Sequence, residues 1–352
     1  MNPPASGASP TVRVSASEER AVIENVLIAA GAVATDAAVQ AEMLVEGDLR
    51  GHASHGVRRL PVLVERLRAG LIVSGVDAEH EWTAPGALAV DGRRGFGPVV
   101  ARKAVDMVLD RARTQGIALA SIRNSGHVGM LAPYVESMGA AGCIGIASTI
   151  SEALVHPWGG IRAMVGTNPL GIGVPTGGEP LVLDMSTGAV SMGKIIDHAA
   201  RGEAIPLGWA VDSDGRQTTD AAAAVSGAIS PFGGAKGYAL GIALEALVAL
   251  LSGSSLGTDV MGTLDTVHPP TKGDVFIAIS VEALGLQPRL PAIAAYLDVV
   301  RGSGRAAEDG GVPAVSVPGD RARQVRERHL REGVPISAEL WQRILMLERG
   351  SA

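Results

Sequence analysis

Between Glu81 and Ile150 the chain alternates short strand-like runs with helical ones, and this alternation limits the fold more than any other feature of the sequence. Glu81-Trp82-Thr83 and Ala87 to Val90 read as strands. A helical pattern from Val99 to Arg113 ends at Gly116. Strand-like Ile117 to Ile122, a helix from Leu131 to Ala140 and strand-like Ile144 to Ile150 follow. Such alternation predicts an α/β sheet with helices on its faces.

The flanks differ in texture. Ser15-x-x-Glu18 is a capping-box pattern that opens a helix running through Ile28. Thr35-Asp36 begins a second helix, and Pro61 to Arg68 forms a third, stopped by Gly70. Beyond the alternating region, Met164 to Pro175 and Leu181 to Met185 read as extended, and Asp212 to Gly215 as a turn. Ala235 to Leu251 reads as a long buried helix, Asp274 to Val281 as a strand and Pro291 to Val300 as a helix. A loop spans 302–319, and charged helices near Arg321–Arg331 and Ser337–Arg349 close the chain. The expected organisation is a flexible leader (1–15), a helical subdomain from 16–75 with 285–352, and an α/β domain over 76–284.

With 47% hydrophobic and 19% charged residues, the chain can bury a large core. Aromatics at 3% and 46 glycines make that core aliphatic and closely packed. A net charge of −6 offers no basic field for nucleic acid or an anionic membrane. The longest apolar run, Tyr238 to Leu251, is interrupted by Glu245 and is shorter than the roughly 18 residues of a membrane span. The single cysteine, Cys143, reads as a buried thiol and fits a cytoplasmic address.

The densest polar chemistry lies in Gly47-Asp48-Leu49-Arg50-Gly51-His52-Ala53-Ser54-His55-Gly56-Val57-Arg58-Arg59-Leu60-Pro61. It falls where one helical pattern ends and another begins, so its side chains stand near helix termini. A histidine among arginines there can pass a proton to an oxygen while a guanidinium holds a carboxylate. The alternative is a solvated turn. His52-x-x-His55 has no third ligand at metal-site spacing, so no metal is expected. Gly95-Phe96-Gly97-Pro98-Val99-Val100 imitates the start of a dinucleotide fingerprint. Val100 replaces its third small residue, and no acid ends the following strand, so it reads as a turn before a helix.

Ser54-His55-Gly56-Val57-x-Arg59 resembles the signature of the malate/L-lactate dehydrogenase family of the non-Rossmann kind. That family also holds ureidoglycolate and sulfolactate dehydrogenases, diketogulonate reductase and reductases of piperideine-2-carboxylate. The likeness runs from about Val22 to Leu347 through five further landmarks: Asn124-Ser125-Gly126-His127-x-Gly129, Gly166 to Leu170, Leu183 to Thr187, Pro206-x-Gly208 to Asp212, and Phe232 to Tyr238. The resemblance implies a three-layer α/β/α fold around a mixed, sulfolactate-dehydrogenase-like sheet. It also implies hydride exchange between NAD or NADP and a 2-hydroxy/2-oxo acid.

By this resemblance His55 is the proton donor, Ser54 orients its ring, Arg59 grips the substrate carboxylate and His127 polarises or orients the substrate. Ser54 has an equally good structural alternative as a helix N-cap; Arg58 reads as a solvated neighbour. The cofactor residues carried over are Pro180, Leu181, Val182, Leu183, Asp184, Met185, Ser186, Ala235, Lys236, Gly319, Asp320 and Arg321, with Thr167 and Asn168 on the pocket floor. Asp184 and Ser186 suit ribose hydroxyls or the carboxamide, and Lys236 and Arg321 suit phosphates; each also has a structural alternative as a plain turn or helix start.

Two departures stand out. Gly126 lacks the amide of the family's Ser-Asn-His, implying a looser loop, and Leu63 replaces a tyrosine of several relatives, implying a smaller or less polar substrate tail. Reduction of a cyclic imine is the alternative reaction, and a non-catalytic dinucleotide-binding scaffold is the alternative class. The family resemblance implies a homodimer.

Overall fold

The computed structural model describes residues 10–263, 265–304 and 315–350. The chain opens with β1 (Thr11–Val14), α1 (Ala16–Ala29), α2 (Ala34–Leu49) and α3 (Leu60–Arg68). The alternating region becomes β2 (Glu79–Ala84), β3 (Ala87–Asp91), α4 (Gly97–Gln115), β4 (Ile117–Arg123), α5 (Ala132–Ala140) and β5 (Cys143–Thr149). Next come β6 (Leu170–Val174) and β7 (Leu181–Met185), then a lobe of α6 (Met192–Ala200), β8 (Ala210–Val211), α7 (Ala221–Val225) and β9 (Ala228–Ile229). The chain finishes with α8 (Ala235–Ser252), β10 (Gly273–Ser280), α9 (Leu290–Arg301), α10 (Asp320–Glu332), β11 (Val334–Ser337) and α11 (Ala338–Glu348).

Seven strands form one sheet in the order β2-β3-β4-β10-β5-β6-β7. Only β3 and β4 run parallel; every other neighbouring pair is antiparallel, so the sheet is mixed. The strand β10 explains the layering, because successive side chains point to opposite faces. Phe276 and Ala278 join the core beneath α4 and α5, while Val275 joins Val248 and Ala249 of α8 on the other face. The result is three layers, α4/α5, sheet and α8.

The helical unit is built from both chain ends. β1 pairs antiparallel with β11, Thr11 opposite Ser337 and Val14 opposite Val334. Ile23, Leu27, Leu44, Leu60, Trp341 and Ile344 share one apolar core. Each such fully buried aliphatic side chain stabilises the fold by about 1.5–3 kcal/mol. The expected leader of 1–15 is therefore corrected: Thr11–Val14 is a strand, and Ser15 caps α1 by accepting the Glu18 amide at 3.2 Å. Residues 1–9 lie outside the described residues, as does 305–314 within the expected loop.

Two further expectations change. The helix α8 is not buried all round: Ile242, Leu247, Leu250 and Leu251 are exposed, Leu250 by 86%. It also reaches 18 residues, long and apolar enough to cross a membrane by length and composition. Glu245, however, faces inward, accepting the backbone amides of Gly166 and Gly257 and the side-chain amide of Asn168. The lobe from α6 to β9 has its own small core of Val155, Ile195, Ala210, Ala224 and Ile229.

Candidate active site

The stretch between α2 and α3 folds into two successive 3-10 turns, Ala53–His55 and Val57–Arg59. Two glycines make this possible. A side chain on Gly47 would stand within 2.6 Å of the His55 carbonyl oxygen, and one on Gly56 would overlap the Asp48 carboxylate. Asp48 accepts the Val57 amide at 2.5 Å, tying the turn back onto α2. The Ser54 hydroxyl lies 3.0 Å from His55 Nδ1, and Arg59 Nε donates to the Ser54 carbonyl at 2.9 Å. Ser54 thus orients the imidazole; α3 has no side-chain N-cap.

His127 arrives from the opposite wall. Its loop is pinned rather than loose, which corrects the expectation attached to Gly126. The Gly126 amide donates to the Gly95 carbonyl at 3.0 Å, and a Cβ on Gly97 would collide with the carbonyls of Gly126 and His127. The Gly95-Phe96-Gly97 turn therefore serves close packing behind His127. Gly129 donates its amide to His127 Nδ1 at 2.9 Å, which assigns the ring proton of the neutral imidazole to Nε2. The two imidazoles stand 5.6 Å apart, centroid to centroid, tilted by 40°.

Electrostatics set this cluster apart. Burial and the neighbouring Arg59 push His55 down to about 3, and the same causes hold His127 well below its usual value. Burial lowers even Arg59 to about 10, partly opposed by Glu152. Groups that resist protonation through burial and their neighbours' positive charge are ones that an anion relieves.

Lys272 and Asp274 lie behind His127 as a buried ion pair, Nζ 2.5 Å from both carboxylate oxygens, and Lys272 adds to the field that depresses His127. The sequence reading missed this pair. Its signal was the i, i+2 spacing where the chain enters β10, Lys272 lying just before the strand and Asp274 within it, which in extended backbone puts both side chains on one face. The lobe closes the same pocket: Gly193 of α6 lies against Ser54, and Arg58 pairs with Asp197.

The nominated cofactor residues fall into two groups joined by β7. In the first, Arg323 donates to the Pro180 carbonyl at 3.1 Å, and the Val182 amide points at the Pro318 carbonyl at 3.4 Å. Pro180, Leu181, Val182 and Leu183 therefore lie beside Gly319, Asp320 and Arg321. Asp184 and Arg321 both act electrostatically on His52, three residues before His55. A cavity of about 850 Å³ adjoins this group, between residues 176–179, α9 and α10. In the second group Asn168 donates to the Gly241 carbonyl of α8, and Thr187, next to Ser186, donates to the Thr167 carbonyl and packs on Gly241; Ala235 and Lys236 lie exposed at the start of that helix.

Some of these residues are already committed. Asp184 Oδ2 accepts the amides of Leu131 and Ala132, capping α5. Asp320 is paired with Arg301 and Arg323. Asn168 is fully buried, donating to the Gly241 carbonyl and to Glu245, so its side chain does not face a ligand. Thr167 shares its hydroxyl with Ser151 at 3.1 Å. Leu63 belongs to the helical core, 7% exposed, so its identity reflects packing and gives no support to an altered substrate tail.

A cationic cluster of one guanidinium and two neutral imidazoles, half-buried together, suits proton transfer to an anionic substrate, as an oxidoreductase of organic acids requires. Known proteins agree. The malate/L-lactate dehydrogenase family model matches residues 14–345. L-sulfolactate dehydrogenase of Methanothermobacter thermautotrophicus is 33% identical, covering 96% of this chain and 97% of its own. The Delta(1)-pyrroline-2-carboxylate/Delta(1)-piperideine-2-carboxylate reductase of Pseudomonas aeruginosa is 35% identical over 87% of this chain and 90% of its own. A dehydrogenase structure from Sinorhizobium meliloti superposes with a TM-score of 0.91 at 46% identity, covering 97% of this chain and 99% of that one. The chain belongs to the malate/L-lactate dehydrogenase family. It is an NAD(P)-dependent enzyme that interconverts 2-hydroxy and 2-oxo acids, which removes the scaffold alternative.

Proposed function

We propose that His55 is the proton donor in reduction and the acceptor in oxidation, that Arg59 clamps the substrate carboxylate, and that His127 polarises the substrate oxygen through an Nε2–H hydrogen bond without giving up its proton. The single observation carrying this reading is the 5.6 Å pairing of the two rings, with the Arg59 guanidinium close enough to act on both. A 2-oxo acid held there meets a guanidinium at one end and imidazoles at the other. When bound, the nicotinamide supplies a hydride to the carbonyl carbon. The carbonyl oxygen takes the His55 proton, so a C–H and an O–H bond form as the C=O double bond is lost.

Substrate binding also readies His55. A carboxylate on Arg59 cancels part of the charge that depresses the imidazole and raises its affinity for a proton. Ser54 holds the ring in place, and burial with the neighbouring Arg59, His55 and Lys272 keeps His127 neutral. Pro180 to Ser186, Gly319 to Arg321 and Ala235-Lys236 would hold the cofactor, with the 850 Å³ cavity beside Asp320 available to its adenosine end. The exposed apolar ridge of α8 supports a homodimer, and the single buried thiol accords with a cytoplasmic setting.

The resemblance to the pyrroline/piperideine-2-carboxylate reductase favours a second reading, reduction of a cyclic imine carboxylate in the same pocket. A spectrophotometric screen of NADH and NADPH against pyruvate, oxaloacetate, sulfopyruvate, piperideine-2-carboxylate and pyrroline-2-carboxylate separates the two. Turnover of an oxo acid that vanishes in His55→Ala supports the first reading; turnover of imines alone replaces it with the second.

A further inference from the structure

Behind the catalytic turn lies a pair of acids that the chemistry above leaves unused. Glu19, on α1, is fully buried, and Asp48, next to last in α2, is 6% exposed. Neither oxygen of Glu19 is reached by a donor from any other described group. Asp48 is committed on two sides: it accepts the Val57 amide at 2.5 Å, and its carboxylate packs directly on Gly56. Two ionised carboxylates in an apolar core, one of them without a donor, would be strongly unfavourable.

One proton between the two acids resolves the conflict. Burial and the adjacent Asp48 raise Glu19 to about 10, while burial raises Asp48 to about 6. The surrounding charged groups are engaged elsewhere. His329 of α10 sets Nδ1 3.0 Å from the Asp48 carbonyl oxygen, Glu46 pairs with Arg50 and Arg326, and Glu348 of α11 accepts from Asn25.

We propose that Glu19 and Asp48 share one proton and act together as a positioning pair for the catalytic turn. Asp48 fixes the Gly56–Val57 amide and, through it, the placement of His55. The Glu19 proton lets Asp48 do so without a second buried charge beside it. This rests on His55 being the acid/base group; neither acid touches the substrate.

The test combines kinetics with a proton readout independent of activity. Asp48→Ala should lower kcat about 100-fold, as a displaced catalytic group does, with reduced-cofactor affinity by fluorescence changing less than about threefold. Asp48→Asn keeps an acceptor for the Val57 amide and should recover at least about tenfold of that loss. Glu19→Gln should likewise recover most of what Glu19→Ala loses.

Glu19 keeps its proton in the fold, whereas the unfolded chain releases it above about pH 4.5. Its contribution to stability therefore declines as pH rises toward its folded value. Glutamine has no proton to lose, so the Tm of Glu19→Gln minus that of the wild type should grow from pH 5 to pH 9. A constant difference across that range, an unchanged kcat in Asp48→Ala, or Asn performing no better than Ala overturns the proposal. A wild type without turnover on any substrate sinks the assignment of His55 instead, and the Tm series still decides whether the proton is shared. The same series decides if Asp48→Ala does not fold.

Discussion

The carboxylate of Asp48 occupies the space that a side chain on Gly56 would need. Glycine in the Ser54-His55-Gly56 signature is thus required by a contact rather than by backbone conformation, since its φ of −94° is open to any residue. Gly56→Ala should cost about 1–3 kcal/mol of stability, as overpacking does, and should lower kcat by displacing His55. Gly178→Ala, where the nearest atom is 3.9 Å away, serves as the control in urea denaturation. Equal stabilities for the two variants would show that Asp48 yields.

His55→Ala should reduce kcat by about 10²–10⁴-fold, the usual range for a positioned acid/base group. Affinity for the reduced cofactor, read by fluorescence quenching, should change little. An unchanged kcat would remove His55 from the chemistry and leave Arg59 and His127 to be explained otherwise.

The chemistry of the turn was legible because it is local. Ser54, His55 and Arg59 sit within six residues, and the helix stops at Gly70 and Gly116 are read from single positions, both of which adopt positive φ. What escaped notice depends on long-range contact. Glu19 reaches Asp48 across the helical core, β1 meets β11 from the far end of the chain, and Glu245, which in the sequence only interrupts an apolar run, accepts from Gly166 and Asn168. Hydrophobic periodicity reports which face is buried but not what a buried acid is bonded to. The contacts of Gly126 are hidden for the same reason: Gly95 and Gly97, which it meets, are remote in sequence and lack side chains to mark the contact.

Binding of an unreactive carboxylate analogue should draw a proton from solution. Burial and Arg59 hold His55 down to about 3, so it is neutral at pH 6; an anion on Arg59 raises it, so the complex binds more protons than the free enzyme. Calorimetry with oxamate and reduced cofactor, in buffers of different ionisation enthalpy, should show up to one proton taken up at pH 6 and less at pH 8. The free protein should show the converse in stability. Both imidazoles are depressed in the fold, so the unfolded chain binds more protons below about pH 6.5, and stability should fall with acidification from there toward pH 3. Zero uptake at pH 6 would mean that the proton comes from elsewhere.

Arg59→Lys should behave almost like a deletion. The guanidinium already donates Nε to the Ser54 carbonyl while facing the pocket, and an ammonium cannot hold that bond and a carboxylate in one plane. KM for the organic acid should rise about 100-fold with KM for the cofactor nearly constant. A rise of less than about threefold would assign the carboxylate to another cation.

Asn168 was nominated as a cofactor residue, yet its amide donates to the Gly241 carbonyl at 3.1 Å and to Glu245 at 2.7 Å, at a φ of 28°. Asparagine tolerates positive φ better than alanine. Asn168→Ala would therefore strain the turn and leave Glu245, 4% exposed, one donor short. Hydrogen bonds to a buried carboxylate contribute about 1.5–3 kcal/mol, and a stability loss of about 2–3 kcal/mol is expected in urea denaturation. Because the turn also seats α8 beside Lys236, cofactor affinity should weaken through misplacement of that helix start, in step with the lost stability across a series that includes Asn168→Asp and Glu245→Gln. A variant that kept full stability but lost cofactor binding would return Asn168 to the role of a direct ligand.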